Sequence, residues 1–148
     1  MQKVESLLPA ASARLRVVSP DSLLVEAAQL LNEPGVQLVI ICGADGRMTG
    51  VVTQTDIVAH IGTCTGHSCM MAVSGVMSRE VATCRSDDWL EDAWAAMKAR
   101  GLRNLPIVDA AGKPLGVLTA RETVQHLLED SRYEENLLRD YVMNIGYR

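Results

Sequence analysis

The sequence predicts an α+β fold in which two β-α-β-β-α repeats pack together with pseudo-two-fold symmetry. The first observation behind this prediction is that residues 50–56 (GVVTQTD) return 66 residues later as residues 116–122 (GVLTARE). The second is the pattern within each copy, where a glycine and a short apolar run lead to a threonine, an acid and a further apolar run. This pattern is typical of a buried strand that turns directly into a helix capped by the threonine.

The duplication extends well beyond this motif. Residues 15–61 align with residues 81–127 at the same offset of 66 without a gap, and twelve of the 47 positions are identical. Self-similarity at a fixed spacing indicates two copies of one structural unit, and a unit this small buries its own core poorly. We therefore expect one module made of both copies. Its parts are repeat 1 (6–61), a linker (62–72), repeat 2 (73–128) and a C-terminal tail helix (129–148), with a lead-in helix around residues 4–8.

Each repeat is predicted to contain the same elements in the same order. A short strand (15–18; 81–84) precedes a helix that is capped by Asp21 or Asp87 and ends at Gly35 or Gly101. A second strand (36–42; 102–108) and a glycine turn (44–46; 110–112) form a hairpin with the strand of the repeated motif. The first helix of each repeat has apolar residues at the spacing of one buried face, namely Leu24, Ala27, Ala28 and Leu31, and Leu90, Ala93, Trp94 and Met97.

The composition of the chain limits the possible classes of protein. Apolar residues make up 48% and aromatic residues 3%, without any Phe, so the core is aliphatic and filled with methionine. The net charge of −4 argues against nucleic acid as a partner. The longest fully apolar run, residues 38–42, is too short to span a bilayer, and no secretory signal is visible. Four cysteines without a framework spacing favour reduced thiols, so we expect a cytoplasmic globular protein without a membrane partner.

The tandem repeat resembles a known family. Two β-α-β-β-α units that each close with Gly-apolar-apolar-Thr-x-x-acid are similar to the cystathionine β-synthase (CBS) domain pair, also called the Bateman module. The run Asn104-Leu105-Pro106-Ile107-Val108 resembles the apolar-Pro-Val strand of this family. The chain departs from the family pattern at two positions: Ile40 stands where repeat 2 has Pro106, and Glu122 replaces the usual aspartate. The resemblance covers residues 6–128.

The resemblance implies a regulatory sensor rather than an enzyme. Its ligands would be AMP, ADP or ATP, or else NAD or S-adenosylmethionine, bound in two clefts between the repeats, and no cofactor would be required. It also implies a flat homodimer that contacts an unknown protein effector in trans. The sequence contains no nucleophile elbow, P-loop, dinucleotide fingerprint or His-Glu-x-x-His helix. A homodimeric scaffold without ligand is the main alternative.

The repeated motif can satisfy each part of a nucleotide. A helix N-terminus suits the phosphate, and a carboxylate can accept hydrogen bonds from both ribose hydroxyls. By resemblance, Arg103 and Asn104 stand where the family places phosphate-facing side chains, whereas Val18 and Thr83 would contact the base. The remaining predicted ligand-binding residues are Thr53, Thr55, Asp56, Thr119, Arg121 and Glu122. The alternative is that each Thr-x-x-acid is a capping box, in which the two side chains satisfy the first turn of their own helix.

Two further features carry weaker predictions. His60, Cys64, His67 and Cys69 are potential zinc ligands, but their spacing matches no standard zinc motif, so we predict no metal site and favour a polar linker with small thiols. His60 also corresponds to His126, after which no cysteine follows. In the tail, one helical face is expected to dock on a partner or on the module itself; its residues are Tyr133, Leu137, Leu138, Tyr141 and Val142.

Overall fold

The computed structural model describes residues 2–63 and 70–146. A 3-10 turn (Val4–Leu7) and helix α1 (Leu8–Ala13) lead into repeat 1, which consists of β1 (Val17–Val18), α2 (Leu24–Leu31), β2 (Leu38–Cys42), β3 (Met48–Thr53) and α3 (Gln54–Thr63). A second 3-10 turn (Val73–Gly75) leads into repeat 2, which consists of α4 (Leu90–Arg100), β4 (Asn104–Val108), β5 (Pro114–Thr119) and α5 (Ala120–Gly146). This mixture of helices and paired strands, repeated twice, confirms the predicted α+β class.

The two hairpins have the same geometry. β2 pairs antiparallel with β3, and β4 with β5, and each pair has a register shift near the turn. β1 adds a parallel strand beside β2 in repeat 1. Gly46 and Gly112 close the two turns with φ angles of 81° and 84°, a conformation that favours glycine because it has no Cβ. The predicted glycine turns are therefore confirmed.

The predicted first strand of each repeat is longer than the observed one. In repeat 1 the observed strand contains only the two residues of β1, Val17 and Val18. In repeat 2 the predicted strand 81–84 is wrong, since Cys84 alone forms a parallel bridge, opposite Ile107. The Cys84 N–H donates to the Pro106 carbonyl at 3.0 Å, and the Val108 N–H donates to the Cys84 carbonyl at 2.9 Å. A single bridging residue is enough to anchor this segment to β4.

The predicted N-caps Asp21 and Asp87 are wrong by two residues. Helix α2 begins after Leu23 and α4 begins after Trp89, and neither residue caps its helix with a side chain. Instead, Leu23 forms an antiparallel bridge with Ala72, and Trp89 forms one with Lys3. Backbone pairing with a segment distant in sequence therefore determines where each helix begins.

The prediction that a glycine ends the first helix of each repeat is confirmed in repeat 2 but not in repeat 1. Gly101 closes α4 with a φ of 65°, as expected. Helix α2, however, ends at Leu31 with Asn32 as its C-cap, which is before Gly35. Pro34 disfavours helical geometry in the residue before it, so the helix ends ahead of the proline and Gly35 serves only the following turn.

The segment that precedes each repeat packs on the other repeat. Val4, Leu7 and Ala11 belong to the core cluster of repeat 2, whereas Val73 belongs to that of repeat 1. The predicted buried faces of α2 and α4 form the helical side of these cores. A third cluster joins the two repeats, and its buried members are Leu38, Ile40, Cys42, Val51 and Val117. The repeats are thus linked both by a shared cluster and by their crossed leading segments.

The tail is a continuation of repeat 2. Helix α5 runs for 27 residues from the repeated motif to Gly146, so no separate helix begins at residue 129. Leu138 is 64% exposed, whereas the side chains of the other predicted tail-face residues (Tyr133, Leu137, Tyr141 and Val142) lie outside the described part of the chain. Among the described residues, no helix has both the length and the apolar character that crossing a membrane requires.

Candidate functional site

Two clefts lie where the repeated motif of one copy meets the other copy. Cleft A has a volume of about 700 Å³ and cleft B of about 710 Å³. Cleft A is lined by Gln37, Leu38, Val51, Thr53, Gln54, Thr55, Asp56, Ser78, Glu80, Val81, Ala82, Gly101, Leu102, Arg103, Asn104 and Pro106. Cleft B is lined by Arg14, Gly35, Gln37, Arg103, Thr119, Ala120, Arg121, Glu122 and Gln125.

The sequence offset of 66 relates the two linings. Thr53, Thr55 and Asp56 in cleft A correspond to Thr119, Arg121 and Glu122 in cleft B. Gln37 and Arg103 also correspond to each other, and each of them lines both clefts. The duplicated motif therefore produces two related clefts that share part of one wall.

In cleft A, the motif forms a complete capping box. The Thr53 N–H and hydroxyl both donate to Asp56 Oδ2, at 2.9 and 3.1 Å, and the Asp56 N–H donates to Thr53 Oγ1 at 3.3 Å. The capping alternative is thus confirmed as a structural role in repeat 1. Both bonds to the carboxylate use Oδ2, so a contact with a ligand in the cleft would fall to Oδ1.

In cleft B, only half of the capping box is present. The Glu122 N–H donates to Thr119 Oγ1 at 3.2 Å, but the carboxylate of Glu122 forms an ion pair with Arg14. Nη1 of Arg14 also donates to the Val117 carbonyl at 3.0 Å. Desolvation lowers the pKa of the Arg14 guanidinium below its ordinary value, yet a guanidinium stays charged at neutral pH. The departure from aspartate to glutamate therefore accompanies a different partner for the acid.

Arg103 and Asn104 lie at the point where the clefts approach each other. Nδ2 of Asn104 donates to Gln37 Oε1 at 3.2 Å, which links the two repeats across their shared wall. Oδ1 of Asn104 is buried and has no hydrogen-bond partner among the described residues. The side chain of Arg103 is exposed, and its carbonyl accepts the Ala120 N–H at 2.8 Å. Both predicted residues thus line cleft A, and Arg103 lines cleft B as well.

Two predicted base-contacting residues lie elsewhere. Val18 packs against the core of repeat 1, and Thr83 is exposed outside the lining of both clefts. Successive residues of an extended segment point to opposite sides, and the neighbouring Cys84 points into the core, so Thr83 points to solvent. Val81 and Ala82 line cleft A in its place. The structure therefore places neither Val18 nor Thr83 in the lining of either cleft.

Sequence reasoning also missed Arg14, Gln37 and Glu80. Arg14 and Glu80 stand in the leading segments, just before the positions at which the repeats align clearly. Gln37 does fall within the aligned region, opposite the predicted ligand-binding residue Arg103. This correspondence could have identified Gln37 as a cleft residue from the sequence. The crossed packing of the leading segments is what brings Arg14 and Glu80 into the clefts.

The candidate metal ligands and the buried thiols give no site within the described chain. Nε2 of His60 lies 3.0 Å from Met71 Sδ, and the other three candidates (Cys64, His67 and Cys69) lie outside the described residues. Among residues 2–63 and 70–146, no three His, Cys, Asp or Glu side chains are grouped to hold a metal ion. Cys42 and Cys84 are buried, and desolvation raises the pKa of the Cys84 thiol to about 12, so it is protonated at neutral pH.

Comparison with known proteins gives one consistent result. The CBS domain model matches residues 6–63 and 73–129. The CBS domain-containing protein YhcV of Bacillus subtilis is 33% identical over 98 residues, which cover 66% of this chain and 69% of YhcV. A homoserine O-acetyltransferase of Methanohalophilus mahii is 31% identical over 97 residues, which cover 66% of this chain but 19% of the enzyme. The chain spans 71%, 55% and 19% of the first three curated relatives that it matches.

A solved structure supports the same relationship at the level of the fold. The crystal structure of CBSX2 in complex with AMP superimposes with a TM-score of 0.74. The two sequences are 27% identical, and the match covers 88% of this chain and 99% of CBSX2.

Proposed function

The chain belongs to the CBS domain family, and we propose that it is a regulatory module that binds an adenine nucleotide or a related adenosyl compound. Pairs of CBS domains are generally regulatory rather than catalytic, although the acetyltransferase relative carries the domain in an enzyme. The observation that carries the proposal is cleft A, an open cavity between the repeats with polar groups at one end and apolar strands along its wall. Its volume falls within the range usual for small-molecule sites.

The chemistry of cleft A is suited to each part of such a ligand. The N-terminus of α3 offers backbone N–H groups and a positive dipole end, and Arg103 adds a guanidinium, so a polar 5′ substituent of the ligand has donors on two sides. Asp56 can accept from ribose hydroxyls through Oδ1. A flat base would lie along apolar residues of both repeats, namely Leu38, Val51, Leu102 and Pro106. The structure of CBSX2 with AMP supports the choice of an adenine nucleotide.

The proposal is tested by isothermal titration of the purified chain with AMP, ADP, ATP, NAD and S-adenosylmethionine. Replacing Arg103 by glutamine copies the residue at the corresponding position of repeat 1, and it should weaken a phosphate ligand by about 10- to 100-fold. Arg100→Gln is the matched control, since Arg100 is exposed on α4 and lines neither cleft. Asp56→Asn should weaken the ribose-containing ligands that bind in cleft A while leaving one oxygen to accept from Thr53.

A ligand-free scaffold is the second candidate, because the motif side chains already have partners within the chain. Thr53 and Asp56 satisfy each other, and Glu122 is paired with Arg14. Silence of the folded protein towards all five ligands would favour the scaffold. Micromolar binding that Arg103→Gln weakens and Arg100→Gln preserves would favour the sensor.

The proposed sensor acts in the cytoplasm as a homodimer that contacts its effector in trans. Exposed apolar residues on the last helix of each repeat support a dimer surface: Val58 and Ile61 on α3 are 68% and 56% exposed, and Leu128 on α5 is 52% exposed. Val58→Asp should lower the dimer fraction in sedimentation equilibrium, whereas an unchanged dimer would remove α3 from the interface. A ligand can then shift the packing only by the difference in its affinity for two arrangements.

A further inference from the structure

The two clefts share one plan but differ in charge at two pairs of corresponding positions. Arg14 and Glu80 are separated by the repeat offset, and Arg14 lines cleft B whereas Glu80 lines cleft A. Arg121 in cleft B corresponds to the uncharged Thr55 in cleft A. Arg103 lines both clefts, so it contributes to each without distinguishing them.

Cleft B is rich in guanidinium groups. Arg14, Arg103 and Arg121 line it, and Glu122 is the single carboxylate among its described lining residues. The Arg14 side chain is held in place by the Val117 carbonyl and by the ion pair with Glu122. Guanidinium groups bind phosphate through paired hydrogen bonds, so this set favours an anionic ligand. Because Glu122 is already paired, cleft B would hold a nucleotide by its phosphate more than by its ribose.

Cleft A has the opposite balance. In the part of the lining that the structure describes, the carboxylates of Asp56 and Glu80 stand against one guanidinium, that of Arg103. Asp56 is fixed at the start of α3 by two bonds from Thr53, so its charge remains at the edge of the cleft. Oδ1 of Asn104, which is buried and has no partner within residues 2–63 and 70–146, adds an acceptor for an N–H or O–H donor. These carboxylates repel the phosphate group of a ligand and attract a cationic group.

From this contrast we propose that the clefts sort adenosyl ligands by charge. Cleft A takes a ligand whose 5′ substituent is neutral or cationic, and cleft B takes a ligand that carries a 5′-phosphate. This inference rests on the proposed function and narrows it to one ligand class for each cleft. Reversing one partly exposed charge beside the ligand should change affinity by about tenfold.

Simultaneous binding is the first test. The protein is saturated with S-adenosylmethionine, which carries a sulfonium cation, and is then titrated with AMP by calorimetry. If the clefts sort by charge, AMP binds the saturated protein with little change in Kd and with one AMP per chain. Direct competition between the two ligands would overturn the sorting and leave the proposed function standing. No binding of either ligand would contradict the proposed function and the inference together.

Charge exchange at the two corresponding positions is the second test. Glu80→Arg copies the residue of cleft B, and it should strengthen AMP and weaken S-adenosylmethionine in cleft A, each by about tenfold. Arg14→Gln should weaken AMP by about tenfold without changing the affinity for S-adenosylmethionine. Arg14→Lys keeps the charge but not the paired hydrogen bonds, so it should recover part of the AMP affinity that Arg14→Gln loses, which separates charge from packing.

The control is Glu26→Arg, which makes the same change of charge at an exposed residue of α2 that lines neither cleft. It should leave both affinities unchanged. If Glu80→Arg leaves the ratio of the two affinities where it was, or if Glu26→Arg shifts it equally, local charge does not select the ligand and the inference is wrong.

Discussion

Replacement of Gly116 by alanine should destabilise the protein because α1 crosses β5 in direct contact with this residue. A Cβ at Gly116 would lie 2.7 Å from the carbonyl carbon of Ala11 and 2.8 Å from the nitrogen of Ser12. Both atoms belong to the main chain and cannot rotate away. Helix α1 would have to retreat by roughly 1 Å to restore ordinary contact, which would loosen Leu7 and Ala11 in the core of repeat 2.

We expect a loss of about 1–3 kcal/mol in the free energy of unfolding, as is usual for overpacking a core. For a chain of this length that loss corresponds to a fall in Tm of roughly 2–12 °C, measured by circular dichroism or calorimetry. Arg14 is the C-cap of α1, so the same retreat should also weaken its ion pair with Glu122. The proposed binding of AMP in cleft B should then weaken along with stability.

Gly62→Ala is the matched control for the Gly116 variant. Gly62 lies in α3, and among residues 2–63 and 70–146 no heavy atom would come within 4 Å of its new Cβ. Alanine should therefore be neutral or stabilise the helix by up to about 1 kcal/mol. If Gly116→Ala melted at the wild-type temperature, or if Gly62→Ala lost as much stability, the close crossing of α1 over β5 would be refuted.

Two further predictions concern the caps and the buried thiol. Thr53→Val should cost about 1 kcal/mol and more than Thr119→Val, because the Thr53 hydroxyl accepts from the Asp56 N–H and donates to the Asp56 carboxylate, whereas the Thr119 hydroxyl accepts only from the Glu122 N–H among the bonds of its own motif. Equal losses in urea denaturation would contradict this. The raised pKa of Cys84, about 12 against the usual 9.0, gives no pH dependence below pH 9.0, where both states are protonated. Above pH 9.0 the unfolded state loses the proton that the native state keeps, so this thiol lowers the stability by up to about 1.4 kcal/mol per pH unit until the pH approaches 12. Burial also raises the pKa of the Cys42 thiol, so Cys84→Ala should reduce the slope of stability against pH without abolishing it, and an unchanged slope would refute the assignment.

The elements that depend on local sequence could be predicted. The turns at Gly46 and Gly112 require a positive φ, and the apolar stripes of α2 and α4 have a helical period, so both signals lie within a few residues. The starts of α2 and α4 could not be placed, because the residues that hold them, Ala72 and Lys3, are distant in sequence. A local pattern contains no information about which segment will pair with a helix start.

The candidate site, too, could be predicted where it depends on local sequence and not where it depends on tertiary packing. The Thr-x-x-acid motif located both clefts because it repeats in register and must begin a helix in each copy. Its side chains could not be assigned to capping or to ligand binding from spacing alone, since both roles use the same atoms. Arg14 and Glu80 were missed because they reach the clefts through crossed segments, and only the tertiary structure shows that crossing.

The crossed leading segments also explain how one duplicated motif can serve two unequal clefts. Gln37 and Arg103 line both clefts, so a substitution at either residue alters both sites together. Arg14 and Glu80 each line a single cleft, and each is carried by a segment that lies outside the repeated motif. A change at residue 14 or residue 80 can therefore alter one cleft while the other keeps its chemistry. Under the proposed sorting of ligands, the leading segments distinguish the two clefts, whereas the repeats themselves supply the features that the clefts have in common.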